Sequence, residues 1–80
     1  MRLDKYLKVS RIIKRRTVAN EACDQGRVSI NGRPAKASAD VRAGDILEIR
    51  FGEKLFRAEI LRVEEHVLKQ EAAELYKVLL

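Results

Sequence analysis

The chain has 80 residues, 46% of them apolar, which suits one small folded domain and excludes a disordered segment. It contains no apolar run of about 18 residues, which excludes a membrane-spanning helix. A single cysteine, Cys23, excludes an internal disulfide, and the charged N-terminus shows no apolar signal segment, so we expect a cytoplasmic protein.

The net charge of +5 is concentrated at the N-terminal end. Outside residues 1–16, the chain has ten cations and eleven acids, which nearly cancel. Positive charge concentrated at one end indicates a binding surface for an anionic partner, most commonly nucleic acid. A basic surface that only contacts water is the less favoured interpretation. Residues 1–16 have one acid, Asp4, and seven cations, which are Arg2, Lys5, Lys8, Arg11, Lys14, Arg15 and Arg16.

Two helices are predicted in this basic half. Leu3, Tyr6 and Leu7 have the spacing of one helical face, and residues 9–14 either continue that helix or form an ordered turn. The second helix runs from about Arg15 to Gln25 and ends at Gly26. Its predicted apolar stripe is Val18, Ala19, Ala22 and Cys23, and its predicted solvent face is Asn20, Glu21, Asp24 and Gln25.

A small antiparallel sheet is predicted next, because the hydrophobic period changes from 3.6 to 2. Asn31-Gly32 is a strong hairpin signal, and Pro34 limits its return strand to a sheet edge. The predicted order is strand 27–30, a short edge strand 33–36, a loop 37–45 closed at Gly44-Asp45, strand 46–51, turn 52–54 and strand 55–63.

The helical period returns from about Lys69, with a stripe formed by Ala72, Leu75, Tyr76 and Leu79. We interpret this stripe as the face of the helix that packs on the hydrophobic core. The alternative is that it forms an exposed apolar patch, ending on Leu79-Leu80, that binds a protein partner. The sequence therefore predicts one α+β domain over residues 1–80. Two N-terminal helices pack on a small twisted antiparallel sheet, and a C-terminal helix follows.

Arg15 and Arg16 stand at the predicted start of the second helix, where cations oppose the helix dipole. Such an arrangement suits a site that receives an anion. A phosphate group there would meet two guanidinium groups and the free N–H groups of the first helical turn.

Catalytic and metal sites are disfavoured, so we expect no enzyme activity, no cofactor and no metal. His66 is the only histidine and lacks the further ligands that zinc needs. No second histidine is present that could act as a general base for a nucleophilic serine. Binding to a membrane surface is disfavoured because the narrow apolar stripe of the first helix is needed for the core. Duplex DNA remains an alternative to RNA.

One set of residues resembles the RNA-binding domain named after small-subunit ribosomal protein S-four. The resemblance covers about residues 1–51 and implies an alpha-L motif, in which two helices on a compact sheet bind structured RNA. Two departures are Arg15, where the family usually has Ser, and Ala22-Cys23 in place of a bulkier pair. The matching residues are Arg2-Leu3-Asp4, Leu7, Arg16, Ala19, Gly26, Val28, Asn31-Gly32, Val41 and Gly44-Asp45.

The resemblance also assigns roles to the basic residues. It implies that Arg2 and Arg16 are the main RNA contacts, and that Asp4 orients a nearby arginine or caps a helix. The residues that would extend this surface are Lys5, Lys8, Arg11 and Arg15.

The remaining third, through RFGEKLFRAEI and EAAELYKVL, resembles free-standing ribosome quality-control relatives of the fifteen-kilodalton heat-shock protein. This resemblance implies a monomer that binds rRNA and peptidyl-tRNA on blocked large ribosomal subunits. It also implies RqcH as a protein partner while alanine tails are added to the stalled chain. The alternatives are a general structured-RNA or DNA-binding protein, or an accessory module of an RNA-modifying enzyme.

Overall fold

The computed structural model describes residues 1–79, so the predicted contribution of Leu80 lies outside the described residues. Two N-terminal helices precede four strands, and a 3₁₀ helix and a fifth strand follow. In chain order, the elements are α1 (Leu3–Val9), α2 (Arg16–Asp24), β1 (Val28–Ile30), β2 (Arg33–Pro34), β3 (Ile46–Phe51), β4 (Lys54–Ile60), a 3₁₀ helix (Lys69–Leu75) and β5 (Tyr76–Val78).

The five strands form one antiparallel sheet in the order β2-β1-β3-β4-β5. Leu47, Ile49 and Ile60 point from its central strands into a single hydrophobic cluster. The same cluster contains the predicted stripe of α1, namely Leu3, Tyr6 and Leu7, none of which is exposed. The sheet and the helices therefore share one core, and the predicted α+β class is confirmed.

The Asn31-Gly32 hairpin is confirmed. Both residues adopt positive φ values, 53° and 83°, as the tight turn between β1 and β2 requires. The Asn31 side chain also anchors the turn, because its Oδ1 accepts a 2.8 Å hydrogen bond from the Ile46 N–H. Its Nδ2 donates to Asp45 at 3.1 Å. β2 contains only Arg33 and Pro34 and lies at the sheet edge, as proline demands.

The connection between α1 and α2 is an ordered turn, which decides between the two predictions for residues 9–14. α1 ends at Val9, and Arg11 adopts a left-handed conformation with φ of 62°. Ile13 is buried, and its N–H donates to the Leu7 carbonyl at 3.1 Å. An arginine in this conformation costs about 1–2 kcal/mol, so the burial of Ile13 and Ser10 maintains a strained turn.

The predicted C-terminal helix is present, but it is a 3₁₀ helix and is shorter than the predicted stripe implied. Residues 69–75 form a 3₁₀ helix, and the chain then extends as β5 along the edge of β4. The four apolar residues of the predicted stripe also fit a 3₁₀ helix followed by a strand, since Ala72 and Leu75 share one face of a 3₁₀ helix. The open edge of β4 decides the outcome, because pairing satisfies its backbone groups. Ala72 and Leu75 are buried, so this segment does cover the core.

Three further predictions need correction. The strand predicted over residues 55–63 ends at Ile60, and the chain beyond it is irregular up to the 3₁₀ helix. On α2, Val18 is exposed rather than part of the buried stripe, and Asn20 is half-buried rather than solvent-facing. Val18 lies at the margin of a stripe that the smaller Ala19, Ala22 and Cys23 form on their own. Burial raises the pKa of the Cys23 thiol to about 11, as suits an inert packing residue.

Tyr6 joins α1 to the C-terminal segment through its hydroxyl, which donates a buried 2.7 Å hydrogen bond to the Leu75 carbonyl. We expect Tyr6→Phe to lower the free energy of unfolding by about 1 kcal/mol, because it removes this bond while keeping the ring. Urea denaturation would measure the change. Tyr76→Phe is the matched control, because the Tyr76 hydroxyl makes no hydrogen bond within residues 1–79. Equal losses in the two variants would contradict the prediction.

Candidate nucleic-acid interface

The turn at residues 10–15 divides the basic N-terminal segment into two clusters. At the first turn of α1, Arg2 and Arg16 meet on Asp4, with Asn20 beside them; we call these four residues the paired-arginine site. At the other end of α1, a second group of cations lines a cleft together with the chain that follows β4. We call this cleft, which is lined by Lys8, Val9, Arg11, Lys14, Glu65, His66 and Val67, the cationic cleft.

Backbone hydrogen bonds determine where α1 begins. Arg2 forms a β-bridge with Asp40, and the N–H groups of Leu3 and Asp4 donate to carbonyls of the loop that precedes β3. These bonds, 2.8 Å to Ala39 and 3.1 Å to Ala37, use N–H groups that the first turn of a helix usually leaves unpaired. The start of α1 is therefore occupied by the protein itself and offers side chains rather than backbone to a ligand.

The Asp4 carboxylate is the centre of the paired-arginine site, and its side chain is only 3% exposed. Arg2 donates to both carboxylate oxygens, at 3.1 and 3.2 Å, and Arg16 donates at 3.4 Å. Asn20 donates at 3.3 Å and the Lys5 backbone N–H at 2.8 Å. One buried anion thus connects the start of α1 to the first turns of α2.

The charge state of Asp4 follows from these contacts. Burial alone would raise the pKa of Asp4, but the hydrogen bonds from Arg2, Arg16 and Asn20 outweigh it and lower the pKa to about 2. The hydrogen bond to Asp4 correspondingly raises the pKa of Arg2. Asp4 is therefore an anion at neutral pH.

Both arginines still face solvent with half of their side chains. The exposed fraction is 50% for Arg2 and 47% for Arg16, so each guanidinium can donate to a ligand while one edge is held by Asp4. An open cavity of about 400 Å³ lies beside Arg16 and is also lined by Thr17 and Glu21. The arrangement presents two oriented guanidinium groups to one side of the molecule.

α2 begins as the sequence predicts, with two arginines at its first positions. Arg15 is the N-cap, no side chain caps the helix, and its first turn contains no acid. Arg15 is exposed and forms no ion pair within residues 1–79. The first turn of α2 therefore contributes two cations and no acid of its own, and the carboxylate beside it is Asp4 of α1.

The remaining residues that were predicted to contact RNA lie in different surroundings. Lys8 and Arg11 are exposed, lie in the cationic cleft and have no ion-pair partner among residues 1–79. Lys5, in contrast, forms an ion pair with Glu65 from the chain after β4, which lowers the pKa of that carboxyl. The structure thus groups Arg2 with Arg16 and Lys8 with Arg11, and it pairs Lys5 internally.

Sequence analysis did not select Asn20, Lys14 or His66 as site residues. Asn20 lies one helical turn after Arg16, a spacing that predicts a shared face, and this signal was available. Lys14 was visible only as one charge among seven. No local pattern connects His66 to α1, because the two meet only through the fold.

Residues 1–79 contain no group of three or more His, Cys, Asp or Glu side chains arranged to hold a metal ion. None of the helices in this part of the chain is long and apolar enough to cross a membrane.

The Asp4 contacts predict an acid-sensitive contribution to stability. Because the folded-state pKa of Asp4 lies below the ordinary value of 3.8, its stabilisation is complete above that value. It is lost as the pH falls towards about 2. Asp4→Asn should lower the free energy of unfolding by about 1–2 kcal/mol at pH 7, an amount reduced by solvent screening of its half-exposed partners.

Chemical denaturation from pH 7 down to pH 2 would test this expectation: the difference between wild type and Asp4→Asn should shrink below about pH 4. Asp24→Asn, at an exposed acid of α2, should change stability by less than about 0.5 kcal/mol and serves as the control. A difference that stays constant with pH would show that the Asp4 charge is not what stabilises the fold.

Comparison with known proteins places this geometry in a family. Residues 1–47 match the family model of the S4 domain. The chain is 57% identical over 79 residues to the RQC P-site tRNA stabilizing factor of Bacillus subtilis, covering 99% of this chain and 92% of that protein. It is 60% identical over 78 residues to the factor of the same name from Halalkalibacterium halodurans, covering 98% and 89%.

A solved structure agrees with these sequence relationships. The trimeric structure of Vibrio cholerae Heat Shock Protein 15 superposes with a TM-score of 0.90 and 31% sequence identity, covering 99% of this chain and 81% of that one. The fold, the S4-domain match and the identity over nearly the whole length are consistent with one another. The chain belongs to the S4-domain family and, within it, to the family of RQC P-site tRNA stabilizing factors.

Proposed function

We propose that this protein is a non-enzymatic RNA-binding protein that acts on large ribosomal subunits blocked by peptidyl-tRNA. It binds rRNA and the tRNA in the P site, and by holding the tRNA it supports ribosome-associated quality control. The relatives that match nearly the whole chain are named as P-site tRNA stabilizing factors, which supports the tRNA part of this proposal. The paired-arginine site supplies the means of binding.

The observation that carries this proposal is the sharing of Asp4 by Arg2 and Arg16. Exposed arginine side chains sample many rotamers, and ordering them on a ligand costs free energy. Here each guanidinium is ordered in advance by a carboxylate that is itself buried. Planar guanidinium groups suit phosphate oxygens and can also stack on an unpaired base, both of which structured RNA provides.

Other exposed cations extend the surface. Arg15 adds charge at the start of α2, where a phosphate would also meet backbone N–H groups. Lys8 and Arg11 contribute from the opposite end of α1. Lys5 contributes less directly, because Glu65 already neutralises it. We therefore assign the strongest contacts to Arg2 and Arg16 and the supporting ones to Lys8, Arg11 and Arg15.

The chemistry of the buried polar groups supports a binding role rather than catalysis. Asp4 already accepts five hydrogen bonds from four residues, so it is poorly placed to act as a general base. Burial raises the pKa of the Cys23 thiol to about 11, which makes it a poor nucleophile. The molecule acts by contact and charge.

The proposal extends to the cellular process. In this view the protein works as a monomer in the cytoplasm, together with RqcH, while alanine residues are added to the C-terminus of the stalled chain. By holding the tRNA in place between cycles, it would increase the number of additions on each subunit.

Co-sedimentation with purified ribosomal particles tests the target and the site together. Wild type should pellet with large subunits carrying peptidyl-tRNA, more than with empty large subunits or small subunits. Arg2→Ala/Arg16→Ala should lose this selective pelleting, because it removes both oriented guanidinium groups. Each arginine also stabilises Asp4, so melting temperatures must show that the variant is folded at the assay temperature.

The matched control removes the same charge from elsewhere. Lys54→Ala/Lys69→Ala deletes two exposed cations that form no ion pair within residues 1–79, and it should pellet like wild type. Equal loss in both double variants would show that net charge, rather than the paired-arginine site, drives association. Wild-type binding to every particle and to duplex DNA alike would contradict the assigned target.

The salt dependence of binding counts the phosphate contacts. With five to seven such contacts, the logarithm of the binding constant should fall with the logarithm of salt concentration at a slope of roughly −4 to −6. Arg2→Ala/Arg16→Ala should reduce that slope by about 2, because each phosphate contact contributes about one. Equilibrium binding at several salt concentrations would measure it, and an unchanged slope in the variant would exclude these arginines as phosphate contacts.

A further inference from the structure

The cationic cleft lies apart from the paired-arginine site, beyond the C-terminal end of α1. Its lining comes from two stretches of chain, which we call its two walls: Lys8, Val9, Arg11 and Lys14 form the first, and Glu65, His66 and Val67 form the second. The second wall belongs to a segment outside residues 1–47, the part that matches the S4 domain. The fold therefore brings two distant stretches of chain together around a concave, strongly positive space.

Arg11 is the first sign that this cleft is built for a purpose. Its φ of 62° is a conformation that glycine or asparagine adopts more easily. A turn needed only to end α1 would be more stable with glycine. Strained backbone of this kind tends to occur at ligand sites, and here it carries the guanidinium to the wall of the cleft.

The charges of the cleft are the second sign. Lys8, Arg11 and Lys14 have no acidic partner within residues 1–79, although they lie close enough to line one small space. The single carboxylate of the cleft, Glu65, forms an ion pair with Lys5, which does not line the cleft. Three like charges are thus kept together without internal neutralisation, an arrangement that an anion would stabilise.

The size of the cleft limits the anion. Its volume is about 160 Å³, below the roughly 300–1,000 Å³ of pockets that enclose drug-sized molecules. A nucleobase with its sugar would not fit inside, whereas one phosphate group would. His66 adds an imidazole that can donate a hydrogen bond from the opposite wall.

We propose that the cationic cleft binds one phosphate group of an RNA backbone, with Arg11, Lys8 and Lys14 as its charged ligands and His66 as a donor from the opposite wall. The identity of the ligand as RNA rests on the proposed function. The C-terminal segment is then part of the binding surface, and Glu65 limits the affinity of the cleft by its negative charge.

A titration of the full-length protein with inorganic phosphate, followed by amide and side-chain NMR at constant ionic strength, tests the cleft without any ribosome. Saturating shifts are expected at Arg11, Lys14 and His66, and none at Lys69. Loss of those shifts in Arg11→Gly would assign them to the guanidinium. Absence of saturation at the cleft in the wild type would overturn the proposal.

Three variants then test the cleft on RNA, using blocked large subunits. Arg11→Gly should weaken binding about 5- to 10-fold while its melting temperature stays equal or rises, because glycine accepts the left-handed turn. Glu65→Gln should tighten binding about 2- to 5-fold by removing the competing charge. Lys69→Ala should leave the affinity unchanged.

The outcomes separate this proposal from the proposed function. If the wild type binds blocked subunits and depends on Arg2 and Arg16, while Arg11→Gly behaves like Lys69→Ala, the cleft proposal is wrong and the proposed function stands. If the wild type does not bind those subunits, the proposed function fails and the phosphate titration alone decides the cleft. A drop in melting temperature in Arg11→Gly would show that the arginine serves the turn, against the proposal.

Discussion

The ionised, buried carboxylate of Asp4 is the constraint around which the binding half of this protein is arranged. A charge with a side chain only 3% exposed is tolerable in a folded protein only when donors surround it. Those donors come from the start of α1 and from the first two turns of α2. The two helices must therefore pack in one relative position, and the two arginines must project together. The same contacts that compensate for the burial of Asp4 also orient the groups that face solvent.

A second consequence concerns the segment after β4. It contributes Leu75 to the core, accepts the Tyr6 hydroxyl bond and supplies Glu65 to Lys5. Each of these contacts involves α1. The C-terminal third thus supports the helix that carries the basic residues and also adjusts their charge, since it neutralises Lys5 and leaves Lys8 unpaired. It acts as an integral part of the domain rather than as an attachment to it.

Much of this architecture could be predicted because its signals are local. The Asn31-Gly32 turn, the stripe of Leu3, Tyr6 and Leu7 and the glycine after α2 each depend on neighbouring residues. The structure of the C-terminal segment could not be predicted in this way. Its four apolar positions fit one continuous helix as well as they fit a 3₁₀ helix followed by a strand. The open edge of β4 decided between them, and an edge exists only in three dimensions.

The same distinction applies to the site. The sequence shows seven cations within residues 1–16 and the position of Asp4, but it does not show which cations share that carboxylate. Arg2 and Arg16 meet because α1 and α2 cross, and Lys5 is neutralised because residue 65 returns to α1. The pairing of charges is a property of the topology, whereas their number and type are properties of the sequence.

The bond between Tyr6 and the Leu75 carbonyl also couples the folding of two distant parts of the domain. The two partners are separated by 69 residues in the chain. A seven-residue helix has little stability by itself, so α1 depends on such long-range contacts for its own order. The cations on α1 therefore become an oriented set only when the domain closes as a whole.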